Sequence, residues 1–191
     1  MKKIVLATLF ASSVISSAAM ADVYMGVEYG AANSTETQKD YTGSTDYKNN
    51  YSDLKFKIGG GSEDGIKFQA YFSKIDYAEG EFIVEEANSL YEFGFDIIKE
   101  FEATSSIYPF LKVGMGAGVM DTEITVDGYA REVSFNIGAG VSYKVIDHIY
   151  ILAGVDYVYR KWNDIVDNSG IYTLETSDSG VKPYIGVNYE F

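Results

Sequence analysis

Apolar and polar residues alternate strictly along eight separate stretches of this chain, and the clearest stretch ends at the last residue. Phe191, Tyr189, Val187 and Ile185 form its apolar face, and smaller or polar residues occupy the positions between them. A period of two places successive side chains on opposite faces of a β-strand. The pattern therefore predicts an all-β protein whose strands each have one apolar and one polar or small face.

The eight stretches have similar lengths. Each is close to the roughly 9–11 residues that a tilted strand needs to cross a bilayer. Their apolar faces carry no charge in the central part, where a lipid-facing Lys or Arg would cost roughly 2–4 kcal/mol. The predicted strands are residues 22–31, 52–60, 66–75, 90–98, 109–119, 133–143, 149–160 and 181–191.

The connections between these strands alternate between long and short. This alternation is typical of transmembrane barrels, in which long extracellular loops face short periplasmic turns. Both ends of the barrel chain are then expected in the periplasm. The long, polar connections are residues 32–51, 76–89, 120–132 and 161–180, and the shorter ones are near residues 61–65, 99–108 and 144–148.

The N-terminal 21 residues have the three parts of a secretory signal peptide. Lys2 and Lys3 precede a short apolar run over residues 4–15, and Ala19-Met20-Ala21 is an A-x-A-type cleavage site. A membrane-anchor helix is disfavoured because it would need about 20 apolar residues. We therefore expect the mature chain to begin at Asp22.

Composition excludes several classes of function. The chain has no cysteine, which excludes disulfides and thiol-based metal or redox sites. Its formal net charge is -13, and removal of Lys2 and Lys3 makes the mature chain still more acidic. Such a charge argues against binding to nucleic acid.

Twelve charged residues fall on the small or polar faces of the predicted strands, with equal numbers of each sign. Turned into a narrow lumen, they are expected to form a paired network, because buried charges require partners. We expect Lys112 and Arg160 at its centre, with Glu92, Asp96 and Asp156 as candidate partners. The acids are Glu28, Asp53, Glu92, Asp96, Asp156 and Glu190, and the bases are Lys55, Lys57, Lys67, Lys112, Arg160 and Lys182.

The signal peptide, the eight alternating stretches, the glycine-spaced inner faces and the terminal Tyr189-Glu190-Phe191 resemble the small eight-stranded bacterial outer-membrane β-barrels of OmpA/OmpX type, a porin-like family. The resemblance implies an eight-stranded antiparallel up-and-down transmembrane β-barrel over residues 22–191, located in the outer membrane of a Gram-negative cell. It also implies that Tyr189 and Phe191 form the signal read by the outer-membrane assembly machinery. Expected partners are outer-membrane lipids and lipopolysaccharide, and the barrel is expected to be a monomer without cofactor or metal.

The function expected from this reading is a non-enzymatic one, structural or through acidic extracellular loops that contact an unidentified partner. Eight strands leave an interior that side chains fill, so any passage of solutes or ions would be narrow. One alternative is a soluble periplasmic lipocalin-like barrel that binds a hydrophobic ligand inside. The other is a lipid-modifying outer-membrane enzyme.

Three motifs resemble parts of binding or catalytic sites, but a structural explanation is favoured for each. Residues 114–118 are glycine-rich like a dinucleotide loop, yet they continue a strand rather than open a helix. His148 lies in a predicted periplasmic turn, whereas lipid-modifying barrel enzymes resembling this fold place a histidine and a serine near the outer rim. Glu85-Glu86 lies in a charged loop, where solvated carboxylates are expected. No catalytic residue is predicted.

Deletion of Phe191 is expected to lower the yield of folded barrel in cells, because the assembly signal of the resembled family ends in an aromatic residue. Folded and unfolded protein can be separated by comparing unheated and heated samples in gel electrophoresis of outer-membrane fractions. An unchanged folded yield at high expression would show that the terminal residue is not part of an assembly signal.

Overall fold

The computed structural model describes seven stretches of the chain, which consist mostly of β-strands. These stretches are residues 22–39, 43–61, 65–78, 89–122, 128–163, 165–166 and 173–191. No helix among these residues is long and apolar enough to span a membrane. The strands in them are β1 Asp22–Lys39, β2 Ser44–Gly61, β3 Ile66–Tyr77, β4 Ser89–Glu100, β5 Ile107–Asp121, β6 Tyr129–Ile146, β7 Ile149–Trp162, β8 Ile165–Val166 and β9 Thr173–Glu190.

Eight of these strands form a closed ring. Strands β1 to β7 pair in chain order, β7 pairs with β9, and β9 pairs back to β1, all in antiparallel orientation. Strand β8 has two residues and pairs only with the start of β9. Because each strand of the ring has a partner on both sides, its backbone is hydrogen bonded without help from water. The prediction of an eight-stranded antiparallel up-and-down barrel is confirmed.

The alternation in the sequence becomes an alternation between the outside and the inside of the barrel. On β5, Leu111 and Val113 are about half exposed, whereas Lys112 between them is 2% exposed. An exposed apolar belt surrounds the barrel, and a lipocalin-like barrel would instead turn this face inward, so that alternative is wrong. One belt residue from each strand is Val27, Phe56, Phe72, Phe93, Met115, Phe135, Val155 and Ile185.

The strands extend further than the sequence pattern predicted at the end of the barrel that carries the long connections, here called the outer end. Residues 32–51 were expected to be a connection, but β1 continues to Lys39 and β2 begins at Ser44. The same is true of much of residues 120–132 and 161–180, since β6 begins at Tyr129 and β9 at Thr173. Backbone pairing continues there although the outward residues become polar, so the apolar alternation stops before the strand does.

Apolar side chains close the interior at two levels. The larger group, here called the outer cap, lies toward the outer end, and the smaller one lies toward the inner end, where both ends of the barrel chain meet. The outer cap consists of Ala32, Tyr51, Ile75, Tyr77, Leu90, Met120, Ala130 and Trp162. The inner group consists of Ile98, Phe110, Leu152 and Tyr184.

Inward glycines provide the space that the larger side chains occupy. Gly94 on β4 lies beside Tyr71 on β3 in the sheet register. A Cβ atom on Gly94 would overlap both the Tyr71 ring and the backbone oxygen of Met115. Tyr71 thereby lies over β4, where its hydroxyl donates a hydrogen bond of 2.6 Å to Glu92. The glycine-rich residues 114–118 lie within β5 and serve the same purpose.

Gly94→Ala is expected to destabilise the barrel by about 1–3 kcal/mol, because the added methyl group forces Tyr71 or the β5 backbone to move. The measurement is the free energy of unfolding in urea for protein refolded into detergent or lipid. Gly43→Ala is the matched control, since a Cβ atom there has no neighbour within 4 Å. Equal stability of the two variants would contradict the packing role of Gly94.

Candidate functional site

The candidate site is the charged interior of the barrel. All twelve charged residues selected from the sequence lie there, with exposed fractions from 0% for Asp156 to 8% for Glu190. Their strands place them inward because each occupies the face opposite to the apolar belt. A set of charges this deeply buried must be compensated by ion pairs and hydrogen bonds.

Lys112 lies at the centre of the interior. Its Nζ atom is 2.9 Å from Oδ2 of Asp156 and 4.0 Å from Oε1 of Glu28. It also lies 4.2 Å from the centre of the Tyr184 ring, a favourable position for a cation. Glu28 is shared with Lys57, whose Nζ atom is 3.1 Å from Oε2 of Glu28. Acids and bases therefore alternate across the middle of the barrel.

A second set of central charges combines ion pairs with a cation–π contact. Lys182 pairs with Asp53 and lies 3.9 Å from Asp156, which it shares with Lys112. Lys55 lies over the Tyr71 ring, 3.8 Å from its centre.

Asp96, a candidate partner for Lys112 and Arg160, is held by amides. It accepts hydrogen bonds from the side chains of Gln69 at 2.6 Å and Asn136 at 3.1 Å. The choice of partners depends on how far each strand is staggered against the next, which the alternation alone does not reveal.

The remaining pairs lie toward the two ends of the interior. At the inner end, Lys67 is 2.8 Å from Glu100 and 3.7 Å from Glu190. At the outer end, Arg160 is 3.4 Å from Glu92. Each end thus has its own ion pairs, separate from those around Lys112.

Four further acids are buried in the interior, and the sequence analysis did not include them. Each lies just beyond the end of a predicted strand. Inward positions recur at every second residue, and each acid occupies the first, second or third inward position past that end. The interior of the described residues therefore holds ten acids and six bases, so the expected balance of charge is wrong and the interior is acidic. The additional acids are Glu36, Glu100, Glu132 and Asp178.

Glu36 lies in the part of β1 that extends beyond the apolar belt. Burial raises the pKa of its carboxyl group to about 7, and the negative charge of Asp178 on the neighbouring strand adds to this effect. Hydrogen bonds of 2.6 Å from the side-chain amides of Gln38 and Asn49 act in the opposite direction. Because the folded-state pKa is raised, the neutral form is favoured, and the contribution of Glu36 to stability falls as the pH rises from about 4.5 to about 7.

The terminal aromatic residues lie at the inner rim. The backbone N–H of Phe191 donates a 2.9 Å hydrogen bond to the Val23 carbonyl oxygen, next to where β9 pairs with β1. Tyr189 packs edge-on against Phe191 with ring centres 5.1 Å apart, and stacks on His148 at 6.0 Å. His148 occupies the β6–β7 turn with a φ of 77°, and its Nδ1 atom lies 2.9 Å from the Glu190 carbonyl oxygen.

Within the described stretches, no group of three or more His, Asp or Glu residues is arranged to hold a metal ion. The Glu85-Glu86 pair lies outside the described residues.

Solved structures with the same architecture define the class of protein. Neisserial surface protein A (NspA) matches with a TM-score of 0.55 and 16% identity, over 87% of this chain and 97% of that one. The outer membrane protein OprG from Pseudomonas aeruginosa matches with a TM-score of 0.56 and 10% identity, over 90% and 96%. This chain has the fold of the small outer-membrane β-barrels.

Within that class, the chain has the compact eight-stranded architecture of the OmpA/OmpX-type barrels, and the resemblance stated from the sequence is confirmed at the level of the fold. No protein-family model matches the chain, and no curated protein gives a significant match.

Lys112→Met is expected to destabilise the barrel by about 3–5 kcal/mol, because it leaves Asp156 and Glu28 short of a buried positive charge. Lys161→Met is the control, since Lys161 forms a 3.7 Å pair with Glu175 in which both side chains are about half exposed. Loss of such a pair should change stability by less than about 1 kcal/mol. Urea unfolding measures both variants, and equal losses would contradict a structural role for the central pair.

Proposed function

We propose that this protein is a non-enzymatic outer-membrane barrel that is closed to solutes and makes its contacts through its outer end. The observation that carries the proposal is the filled interior. Ion pairs occupy the centre, and apolar side chains lie both above and below them. A barrel of this kind anchors the segments at its outer end and does not form a pore.

The space left in the interior supports this proposal. A cavity toward the inner end of the interior, lined by residues that include Glu28, Lys57, Lys67 and Lys112, has a volume of about 20 Å³. Such a cavity holds about one water molecule. The lining charges are already engaged with partners, so a hydrated ion would have to separate them in order to pass.

The length of the strands supports a role for the outer end. The β1–β2 hairpin continues for eight residue pairs beyond Ala31, from Ala32–Tyr51 to Lys39–Ser44. This extension corresponds to about 26 Å along the strand direction. It carries the outer end of this hairpin beyond the apolar belt. We propose that the acidic connections at this end contact an extracellular partner and that lipid and lipopolysaccharide surround a monomeric barrel below them.

Planar-bilayer recordings test the closed interior. The unmodified protein should give no large, stable conductance, because its outer cap and ion pairs block the lumen. Trp162→Ala, which removes the largest side chain of the outer cap, should increase leakage. Val133→Ala is the control, since Val133 faces outward and is 46% exposed. Large, stable channels from the unmodified protein would overturn the proposal.

A further inference from the structure

Negative charge is concentrated around the outer cap. Among the described residues, four buried acids lie in this part of the interior, Glu36 from β1, Glu92 from β4, Glu132 from β6 and Asp178 from β9, and one buried base, Arg160 from β7, accompanies them. Four ionised carboxylates around one guanidinium would leave several buried charges uncompensated. Such an arrangement is costly, so at least one of these groups must be neutral or find another cation.

Glu132 is the least compensated of the four acids. It is 2% exposed, and neither of its carboxylate oxygens has a hydrogen-bond partner among the described residues. Its Oε1 atom lies over Gly118 on β5, and Oε1 of Glu92 lies over Gly116, two residues away on the same face of that strand. The carboxyl groups of Glu132 and Glu92 are therefore directed at adjacent places in the interior.

Arg160 and two tyrosine hydroxyls near Glu132 are engaged with other acids. Arg160 lies 3.4 Å from Glu92 and 3.6 Å from Asp178. Tyr77 donates a 3.1 Å hydrogen bond to Asp178, and Tyr71 donates to Glu92. A protonated Glu132 could donate to Glu92, which satisfies both groups without another cation. Tyr51 is a further titratable group that faces this region, and Arg160 lies over its ring at 4.8 Å.

We propose that Glu132 and Glu92 form a proton-binding site at the outer end of the lumen and that the bound proton keeps the outer cap closed. Glu132 lies opposite Trp162 in the β6–β7 register, and a cap residue, Leu90, shares the space over Gly118 with it. Loss of the proton places two negative charges side by side beneath the cap. Their repulsion moves Glu132 toward water, which the cap residues now exclude.

The single tryptophan of the chain makes the site measurable. Trp162 belongs to the outer cap and reports its hydration through fluorescence. In refolded full-length mature protein, a titration from about pH 5 to about pH 10 covers the range over which a shared carboxyl proton is lost. We expect a red shift of the Trp162 emission as the pH rises, which Glu132→Gln abolishes because glutamine stays neutral.

Two control variants separate this site from other buried acids. Glu36→Gln should retain the transition, which excludes Glu36 as its source. Glu100→Gln should also retain it, because Glu100 lies at the inner end with Lys67. The infrared C=O stretch of a protonated carboxylic acid provides a second measurement, and we expect Glu132→Gln to remove one such band that is present in the unmodified protein at about pH 6.

The outcomes are distinct. A transition and an acid band that disappear together in Glu132→Gln support the site, whatever the conductance of the barrel proves to be. A transition that persists in Glu132→Gln, or one that Glu36→Gln removes, overturns it. So does the absence of any transition in the unmodified protein, or an infrared spectrum in which Glu132→Gln removes no acid band.

Discussion

The closing pair of strands, β1 with β9, is the constraint on which the rest of the structure depends. Lipid offers no hydrogen bonds to a free strand edge, so a sheet in a membrane must pair its first strand with its last. This closure is nearly continuous from Tyr24–Glu190 to Lys39–Glu175. It is interrupted opposite Pro183, which has no N–H group to donate. Once the ring is closed, every inward side chain must fit into one narrow space.

That space explains the composition of the inner face. Large inward residues such as Tyr71 and Tyr184 fit inside because the neighbouring strand presents a glycine beneath each ring, Gly94 for the first and Gly154 for the second. Charges lie inside because the outer face meets lipid. A charged side chain on the lipid face destabilises a barrel more than one that is paired in the interior. Buried ion pairs contribute little net stability compared with apolar packing, but breaking one of them is costly. The network therefore favours the one strand register in which Lys112 meets Asp156.

The two ends of the interior differ because the strands continue much further at the outer end. At the inner end, Lys67 is placed between Glu100 and Glu190 close to short turns. At the outer end, the extended strands add Glu36, Glu132 and Asp178, and the described residues there add no buried base. The excess of acid at this end follows from that extension, and it supplies the chemistry of the proposed proton site.

The sequence by itself determined which side of each strand faces lipid, how many strands cross the membrane and which twelve charges turn inward, because a period of two can be read from residue types alone. It did not determine where the strands end, because beyond the lipid both faces become polar while the backbone pairing continues. Only the tertiary structure decided that Asp96 accepts hydrogen bonds from amides, that Lys112 pairs with Asp156 and that Glu132 lies beside Glu92. These contacts join residues that are distant in the chain, and they depend on the stagger between neighbouring strands around the closed ring, a quantity that no single strand contains.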